Sequence, residues 1–267
     1  MRGISAKSLT SVLEAVSSSA GKTAGKLGDE LFGVVGALDG APALRRVLTD
    51  PSTDDSAKEG LAVKVFGGKV SAATIKVVVA AVTGRWASGR DMVDGLELAG
   101  VSAHVIQADK AGELDELENE LFTFERLVSS EPELRRILTD RSIPEASKST
   151  LVSTLLAGKA TPAVLALVQQ ATAARLGSFE KAISSFSEIV AERRARLIAE
   201  VRVAYELGDD ERARLNAALK AKYGSDIQIN TIVDPSVVGG ISVSIGDQLI
   251  DGTVSSRLED ARRRIAG

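Results

Sequence analysis

Residues 42–50 have the sequence PALRRVLTD, and residues 132–140 have the sequence PELRRILTD. Seven of the nine positions are identical, and Val47 and Ile137 differ conservatively. The same offset of 90 residues continues without a gap on both sides of this stretch. It joins the following identical pairs: Leu27/Leu117, Glu30/Glu120, Leu31/Leu121, Phe32/Phe122, Lys58/Lys148, Leu61/Leu151, Gly68/Gly158, Lys69/Lys159, Arg85/Arg175 and Ser88/Ser178. A fixed offset over so long a stretch indicates that one structural unit has been duplicated.

Each copy has the sequence features of a helical bundle. A helix over residues 27–38, or 117–128, leads to a short helix that begins at Pro42 or Pro132, because proline suits the first helical turn. Three further helices are predicted in each copy, over about 55–67, 71–84 and 87–106, and over about 145–157, 161–175 and 178–195. Their apolar side chains recur on one face, so we expect each copy to bury that face in a bundle.

Beyond residue 197 the pattern changes to that of a small α/β module. Residues 197–205 are rich in Ile and Val, which is typical of a strand. Residues 209–222 begin with acidic and end with basic side chains, as helices do. Three short β-prone runs and an amphipathic stretch up to Ile265 follow. The predicted order is therefore strand, helix, three strands, helix.

Glycine, aspartate and proline mark the turns of this module. Asp234-Pro235 ends a strand, because proline lacks the N–H that a central ladder needs. Gly239-Gly240 permits positive φ before the alternating run 241–245. Gly246-Asp247 is a two-residue hairpin signal, with glycine first as a type II′ turn requires. Asp251-Gly252 ends the second arm of that hairpin.

These residues resemble the C-terminal region of the delta subunit family of F-type ATP synthases, the bacterial counterpart of the oligomycin-sensitivity-conferral protein. Ten positions carry the family pattern and form the candidate structural site: Asp234, Pro235, Gly239, Gly240, Gly246, Asp247, Asp251, Gly252, Arg257 and Leu258. Two positions depart from the pattern. Thr253 replaces the usual serine, and Ser244 stands where a polar or charged, often basic, residue is more typical.

The helical part is similar to the same family. Residues 131–175 resemble a section of its N-terminal domain of about six helices, with Lys148 and Arg175 in place. The usual family carries one copy of this domain, whereas this chain has two, as the enlarged actinobacterial branch does. The opening helix, residues 4–16, retains only Ala6 and Leu9 of the family's usual start.

Together, these patterns predict a mainly α fold: a duplicated N-terminal helical bundle followed by a small C-terminal α/β module. The expected domains are residues 1–108 for the first helical copy, 109–196 for the second, and 197–267 for the α/β module.

Composition excludes several classes of function. The chain has 267 residues, a net charge of −3 and 3% aromatic residues, which does not favour nucleic-acid binding. It has no cysteine, so disulfides, thiolate metal sites and cysteine nucleophiles are excluded. No apolar run approaches the ~18 residues of a membrane span, so no direct membrane insertion is expected.

Isolated chemical signals are weak. Residues 20–23, AGKT, resemble the end of a phosphate-binding loop, but Val16 stands where the first glycine of that motif is required. His104 is the single histidine and lacks the partners of a zinc site or a catalytic triad. Trp86 is interpreted as a packing residue, with an interface anchor as the alternative. We therefore expect no catalytic residue, no cofactor and no metal.

The resemblance implies a non-catalytic stator subunit. It implies one copy in a hetero-oligomeric complex, peripheral on the cytoplasmic face of the cell membrane. The implied partners are the N-terminal segment of an alpha subunit, held by the helical domain, and the C-terminal region of the b subunits, held by the α/β module. Two alternatives remain open: a helical-repeat adaptor unrelated to ATP synthase, and an enzyme that uses the glycine-rich tail as a phosphate cradle.

Overall fold

The computed structural model describes residues 3–21, 24–195, 198–223, 227–234, 237, 239–245 and 248–251. The chain divides into two compact units, Met1–Val190 and Ala191–Gly267. Both helical copies therefore lie within a single compact unit. The boundary at residues 108 and 109 remains a prediction.

Eleven helices precede the first strand within the described residues. They are α1 (Ile4–Ser19), α2 (Ala24–Asp39), α3 (Pro42–Thr49), α4 (Asp55–Phe66), α5 (Ala72–Val82), α6 (Gly89–Ala111), α7 (Leu114–Ser130), α8 (Pro132–Thr139), α9 (Glu145–Leu156), α10 (Pro162–Ala171) and α11 (Phe179–Ala195). The two short helices α3 and α8 begin at Pro42 and Pro132, as predicted.

The two copies have equivalent helices at the offset of 90 residues: α2 to α6 correspond to α7 to α11. They also repeat their polar contacts. Asp50 accepts hydrogen bonds from the backbone N–H and hydroxyl of Ser52, at 2.8 and 2.7 Å, and Asp140 accepts the same pair from Ser142 at the same distances. The repetition extends from sequence to hydrogen-bond geometry.

Helix α6 belongs to both copies. Its first part corresponds to α11, while residues 94–109 correspond to α1 at the same offset. Thirteen of its 23 residues are buried, which is typical of a helix packed on most of its sides. Sequence analysis predicted an end near residue 106. The helix instead continues to Ala111 and ends at Gly112, whose φ of 75° forms a left-handed C-cap.

The C-terminal unit contains a four-stranded mixed sheet. Its elements are β1 (Ile198–Val203), α12 (Asp209–Tyr223), β2 (Gln228–Val233), β3 (Ile241–Ile245) and β4 (Gln248–Asp251). The strand order is β2-β1-β3-β4, with β1 parallel to β2 and antiparallel to β3. Helix α12 joins the two parallel strands, as a crossover connection must.

One face of this sheet forms the small core of the unit. Alternate side chains of β1, Ala199, Val201 and Val203, are buried together with Val243 and Ile245 of β3. Leu219 of α12 packs against them. The fold class is confirmed: a mainly α chain with a duplicated bundle and a C-terminal α/β module. The predicted closing helix up to Ile265 lies outside the described residues.

Candidate protein-binding surfaces

A groove of about 550 Å³ lies between α1 and α5 in the first helical copy. We call it the α1/α5 groove, and its lining residues are Ile4, Lys7, Ser8, Ser11, Ala80, Thr83, Gly84 and Arg85. Most of these side chains are small, so they leave the space between the two helices unfilled. Ile4 is 57% exposed in this groove, although it is a large apolar residue.

Close contact between α1 and the segment that follows α5 shapes the groove. The hydroxyl of Ser8 donates a hydrogen bond of 2.5 Å to the backbone carbonyl of Arg85. A Cβ atom at Gly84 would lie 3.0 Å from Cβ of Ser8, so a larger residue there would require the neighbouring side chains to shift. Two basic residues, Lys7 and Arg85, are exposed at the rim. The groove therefore combines a partly apolar floor with a positively charged edge.

A cluster of charged side chains lies where the two helical copies meet. Arg175, in the loop between α10 and α11, forms ion pairs with Asp39 at the end of α2 and with Asp94 of α6, the latter at 2.7 Å. Its Nε atom lies 3.7 Å from Oε2 of Glu97. The amide of Gln170 donates a hydrogen bond of 2.6 Å to the other carboxylate oxygen of Glu97. We call these five residues the junction cluster.

Burial dominates the electrostatics of this cluster. The side chains of Arg175 and Glu97 are 8% and 1% exposed. Burial raises the pKa of Glu97 to about 7, and that of Asp94 to about 6. It also lowers the pKa of Arg175. A buried charge of either sign is costly unless it is paired, so the members of the cluster depend on one another.

A polar cleft of about 540 Å³ adjoins the cluster. Its lining includes four basic side chains besides Arg175, namely Arg45, Arg90, Arg141 and Lys148. The ammonium of Lys148 is buried and donates a hydrogen bond of 3.0 Å to the carbonyl of Leu138. Lys148 and Arg175 were the two residues that the family resemblance placed here, and the structure brings both to the edge of one cleft.

Four residues of the C-terminal pattern are described, and they shape turns. Gly239 and Gly240 have φ of 67° and 78°, the conformation that favours glycine. The backbone N–H of Asp234 donates to the carbonyl of Val203 at 2.8 Å, just beyond the paired strands. Asp251 pairs with Ser242 at the end of β4. These positions frame the strands and do not converge on one point.

The remaining pattern residues, Pro235, Gly246, Asp247, Gly252, Arg257 and Leu258, lie outside the described residues. The register of the hairpin nevertheless agrees with the predicted loop length. Ile245 pairs with Gln248, so two residues connect β3 to β4.

Sequence analysis missed a pocket beside the sheet. It has a volume of about 380 Å³ and is lined by Val203, Tyr205, Leu207, Glu211, Arg214, Leu215, Gly240 and Ile241. Tyr205 is 61% exposed, and its hydroxyl donates a hydrogen bond of 3.0 Å to Glu211. We call it the Tyr205 pocket. The available sequence signal was Tyr205 itself, one of two tyrosines in the chain, at the end of the predicted strand 197–205.

His104 and Trp86 have structural roles. His104 is buried and stacks on Phe32 with ring centroids 5.4 Å apart, and its Nε2 atom lies 3.3 Å from Asp29. The indole N–H of Trp86 donates a hydrogen bond of 2.7 Å to the carbonyl of Ala81. Trp86 packs against the core of the first copy, in line with its interpretation as a packing residue.

Among the described residues, no group of three or more His, Asp or Glu side chains has an arrangement that could hold a metal ion. No helix in that part of the chain combines the length and the hydropathy that crossing a bilayer requires.

The fold and its surfaces define the class: a mainly helical protein with a duplicated bundle, an open interhelical groove and a separate small α/β module. The family model for the ATP synthase delta (OSCP) subunit matches residues 102–265. Because that match begins inside α6, it covers the second helical copy and the module, and the first copy precedes it.

Curated relatives match along nearly the whole chain, and each is named ATP synthase subunit delta. The relative from Kineococcus radiotolerans is 44% identical over 257 residues, which cover 96% of this chain and 93% of the relative. That from Streptomyces griseus is 43% identical over 256 residues, covering 96% and 94%. That from Thermobifida fusca is 43% identical over 270 residues, covering all of both chains. The chain belongs to the ATP synthase delta (OSCP) subunit family, in the enlarged form of these actinobacterial relatives.

Proposed function

We propose that this protein is a non-catalytic stator subunit of F-type ATP synthase. It links the catalytic head to the peripheral stalk and resists the torque of the rotor during proton-driven ATP synthesis. The observation that carries this proposal is membership of the delta (OSCP) family along nearly the whole chain. The same membership argues against an unrelated helical-repeat adaptor, because repeat character alone does not produce a full-length match.

The helical unit is the proposed site for the N-terminal segment of an alpha subunit. An amphipathic helix laid in an apolar groove is a common mode of peptide recognition. The α1/α5 groove supports this mode because its floor is built from small residues and the exposed Ile4. Its basic rim favours a segment with acidic side chains at its edge.

The α/β module is the proposed site for the C-terminal region of the b subunits. The Tyr205 pocket supports this assignment, since exposed tyrosine is favoured at protein interfaces. Gly240 lines the pocket, so one residue of the family pattern contributes directly to this surface. The four described pattern residues, Asp234, Gly239, Gly240 and Asp251, would then act by shaping the strands and turns that present it.

A stator must transmit force between its two contacts. Each interface would need at least the ~1,600 Å² of a standard stable complex. Within the helical unit, the junction cluster joins α2 and α6 of the first copy to the loop after α10. Buried ion pairs of this kind would fix the position of this loop relative to α2 and α6. The duplicated bundle would thus carry load as a single piece.

The proposed setting is one copy in a hetero-oligomeric complex, peripheral on the cytoplasmic face of the cell membrane. Proton flow and ATP chemistry would belong to other subunits. In this setting the chain itself would need no catalytic residue, cofactor, metal or nucleic acid.

Two binding assays on the full chain test this function. The purified chain is titrated with a synthetic peptide of the alpha N-terminal segment, and separately with the soluble C-terminal region of the b subunits. Both should bind. Tyr205→Ala should weaken binding of the b region and leave the alpha peptide unaffected. Absence of binding to both probes by the folded chain would contradict the proposal.

A further inference from the structure

We infer that only the first helical copy offers a docking groove, and that the chain's own fold closes the equivalent groove of the second copy. This inference rests on the proposed function, because the occupant is the partner segment proposed above. It names the copy that binds and the chemistry of the segment bound.

The two grooves can be compared position by position through the offset of 90 residues. The α1/α5 groove corresponds to the space between α6 and α10, because α6 has the place of α1 in the second copy. The residues of α1 that correspond to Asp94, Glu97 and Val101 are Ile4, Lys7 and Ser11. On the other wall, Ala80 and Arg85 correspond to Gln170 and Arg175.

Burial differs sharply between these equivalent positions. In the first copy, Ile4, Lys7, Ser11 and Arg85 are all exposed. In the second copy, Glu97 is 1% exposed, Val101 is fully buried, and the side chain of Arg175 is 8% exposed. The equivalent surface is therefore open in the first copy and covered in the second.

The first copy provides the cover. The C-terminal end of α2 packs near α10 and places the carboxylate of Asp39 on the guanidinium of Arg175. The hydrogen bond from Gln170 to Glu97 crosses the space between α10 and α6. An incoming helix would have to separate these pairs and leave buried charges without partners, which is unfavourable. The junction cluster thus excludes a second partner segment.

The closed groove indicates what the open groove binds. In the second copy, the arginine at this position is satisfied by an acidic residue at the end of a helix, Asp39 of α2. In the first copy the equivalent arginine, Arg85, lies at an exposed rim beside Lys7. The partner is therefore an amphipathic helix that presents a carboxylate to Arg85, with small or aliphatic residues facing Ser11 and Ala80.

A matched pair of cysteine variants tests which groove is occupied. The chain has no cysteine, so Thr83→Cys and Ala173→Cys each introduce a single thiol. Thr83 lines the α1/α5 groove, Ala173 is its counterpart beside the junction cluster, and both are half-buried. The alpha N-terminal peptide should slow alkylation of the first thiol several-fold and leave the second unchanged.

A charge variant tests the chemistry of the occupant. Arg85→Glu should weaken binding of the same peptide by roughly tenfold, because it places like charges in contact. Arg46→Glu, at an exposed position of α3, is the charge-matched control and should bind as the parent chain does. Circular dichroism of each variant confirms that it is folded.

The outcomes separate this inference from the function on which it rests. Protection of the Thr83→Cys thiol alone, with loss of binding in Arg85→Glu, supports both. Protection of the Ala173→Cys thiol, alone or together with the first, overturns the inference while the proposed function stands. Failure of the parent chain to bind the peptide overturns the assignment of the alpha segment, and this inference with it.

Discussion

Arg85 and Arg175 occupy the same position in the two helical copies, yet their surroundings are opposite. Arg85 is exposed at the rim of an open groove, whereas Arg175 is buried among three carboxylates. The difference comes from the residues opposite them. The first copy has Ile4 and Lys7 where the second has Asp94 and Glu97.

This comparison shows how a duplicated unit can diverge without changing its fold. Both copies retain the same helix order and the same turn contacts at Asp50 and Asp140. The residues that differ on one face of α6 accompany the change from an open groove in the first copy to the buried junction cluster in the second. Matched substitutions in the two copies should therefore have different effects on stability.

The largest effect is expected from removal of the buried arginine. Arg175→Met would remove the nearest cation from the buried Glu97 and leave Asp94 with Arg90 alone, at 3.9 Å; losing one partner of a buried ion pair costs about 3–5 kcal/mol in comparable cases. Arg85→Met, its exposed counterpart, should change stability by less than about 0.5 kcal/mol. Urea unfolding of the full chain near pH 8, where the carboxylates are ionised, measures both. Equal losses of unfolding free energy in the two variants would show that Arg175 does not stabilise the contact between the two copies.

The second effect concerns a pair of phenylalanines. Phe32 stacks on the buried His104, while its counterpart Phe122 is 58% exposed. Phe32→Ala should therefore cost about 2 kcal/mol, through lost burial and lost ring contact. Phe122→Ala should stay within about 0.5 kcal/mol of the parent chain. Thermal unfolding of the two variants side by side checks this contrast, and a reversed order would refute it.

The third effect is a pH dependence of stability that arises from the junction cluster alone. Burial raises the pKa of Glu97 from 4.5 to about 7, so the folded chain holds a proton that the unfolded chain releases between these values. Burial also raises the pKa of Asp94 from 3.8 to about 6, so this carboxyl likewise retains its proton in the folded chain between these pH values. Their contribution to stability is thus present at low pH and declines as pH rises towards 7.

Glu97→Gln isolates this contribution. The variant should flatten the decline of the unfolding free energy between about pH 5 and pH 7 by roughly 1 kcal/mol or more. The corresponding position of the first copy is Lys7, and Lys7→Gln should leave the profile unchanged. A parent profile that rises with pH over this range, and is unaltered by Glu97→Gln, would contradict the assignment.

The smallest effect concerns a contact that both copies share. Glu30 accepts hydrogen bonds from the backbone and hydroxyl of Ser71, and Glu120 accepts the same pair from Thr161. Burial tends to raise the pKa of Glu30, but the hydrogen bonds from Thr74 and Ser71 outweigh it and lower the pKa. Glu120→Gln should cost about 1 kcal/mol. Glu30→Gln should cost slightly more, because Glu30 also accepts a hydrogen bond from Thr74, whose counterpart in the second copy is Val164. Urea unfolding measures both, and a larger loss in Glu120→Gln would contradict this order.

Much of the fold was predictable because it depends on local chemistry. Prolines at the first helical turn fixed the starts of α3 and α8, and the glycines at 239 and 240 marked positions that require positive φ. The constant offset between Leu27 and Leu117 revealed the duplication. Such signals need only neighbouring residues or a comparison within the chain.

The candidate surfaces were less predictable because they depend on distant residues. Arg85 and Arg175 align perfectly in sequence, but Asp39, which covers one of them, lies 136 positions before Arg175. The end of α6 lies beyond the predicted residue 106 because Gln107, Asp109 and Lys110 do not continue the apolar pattern, although the helix does continue. The Tyr205 pocket was missed because β3, which completes it through Ile241, follows more than 30 residues later.

The number of partner segments bound per chain tests the central claim most directly. Calorimetric titration of the full chain with the alpha N-terminal peptide should give one site. Ala80→Trp, which fills the α1/α5 groove, should abolish that site, and Gln170→Ala, at the equivalent position of the second copy, should retain it. Two sites in the parent chain, or one site that survives Ala80→Trp, would contradict the account of one open and one closed groove.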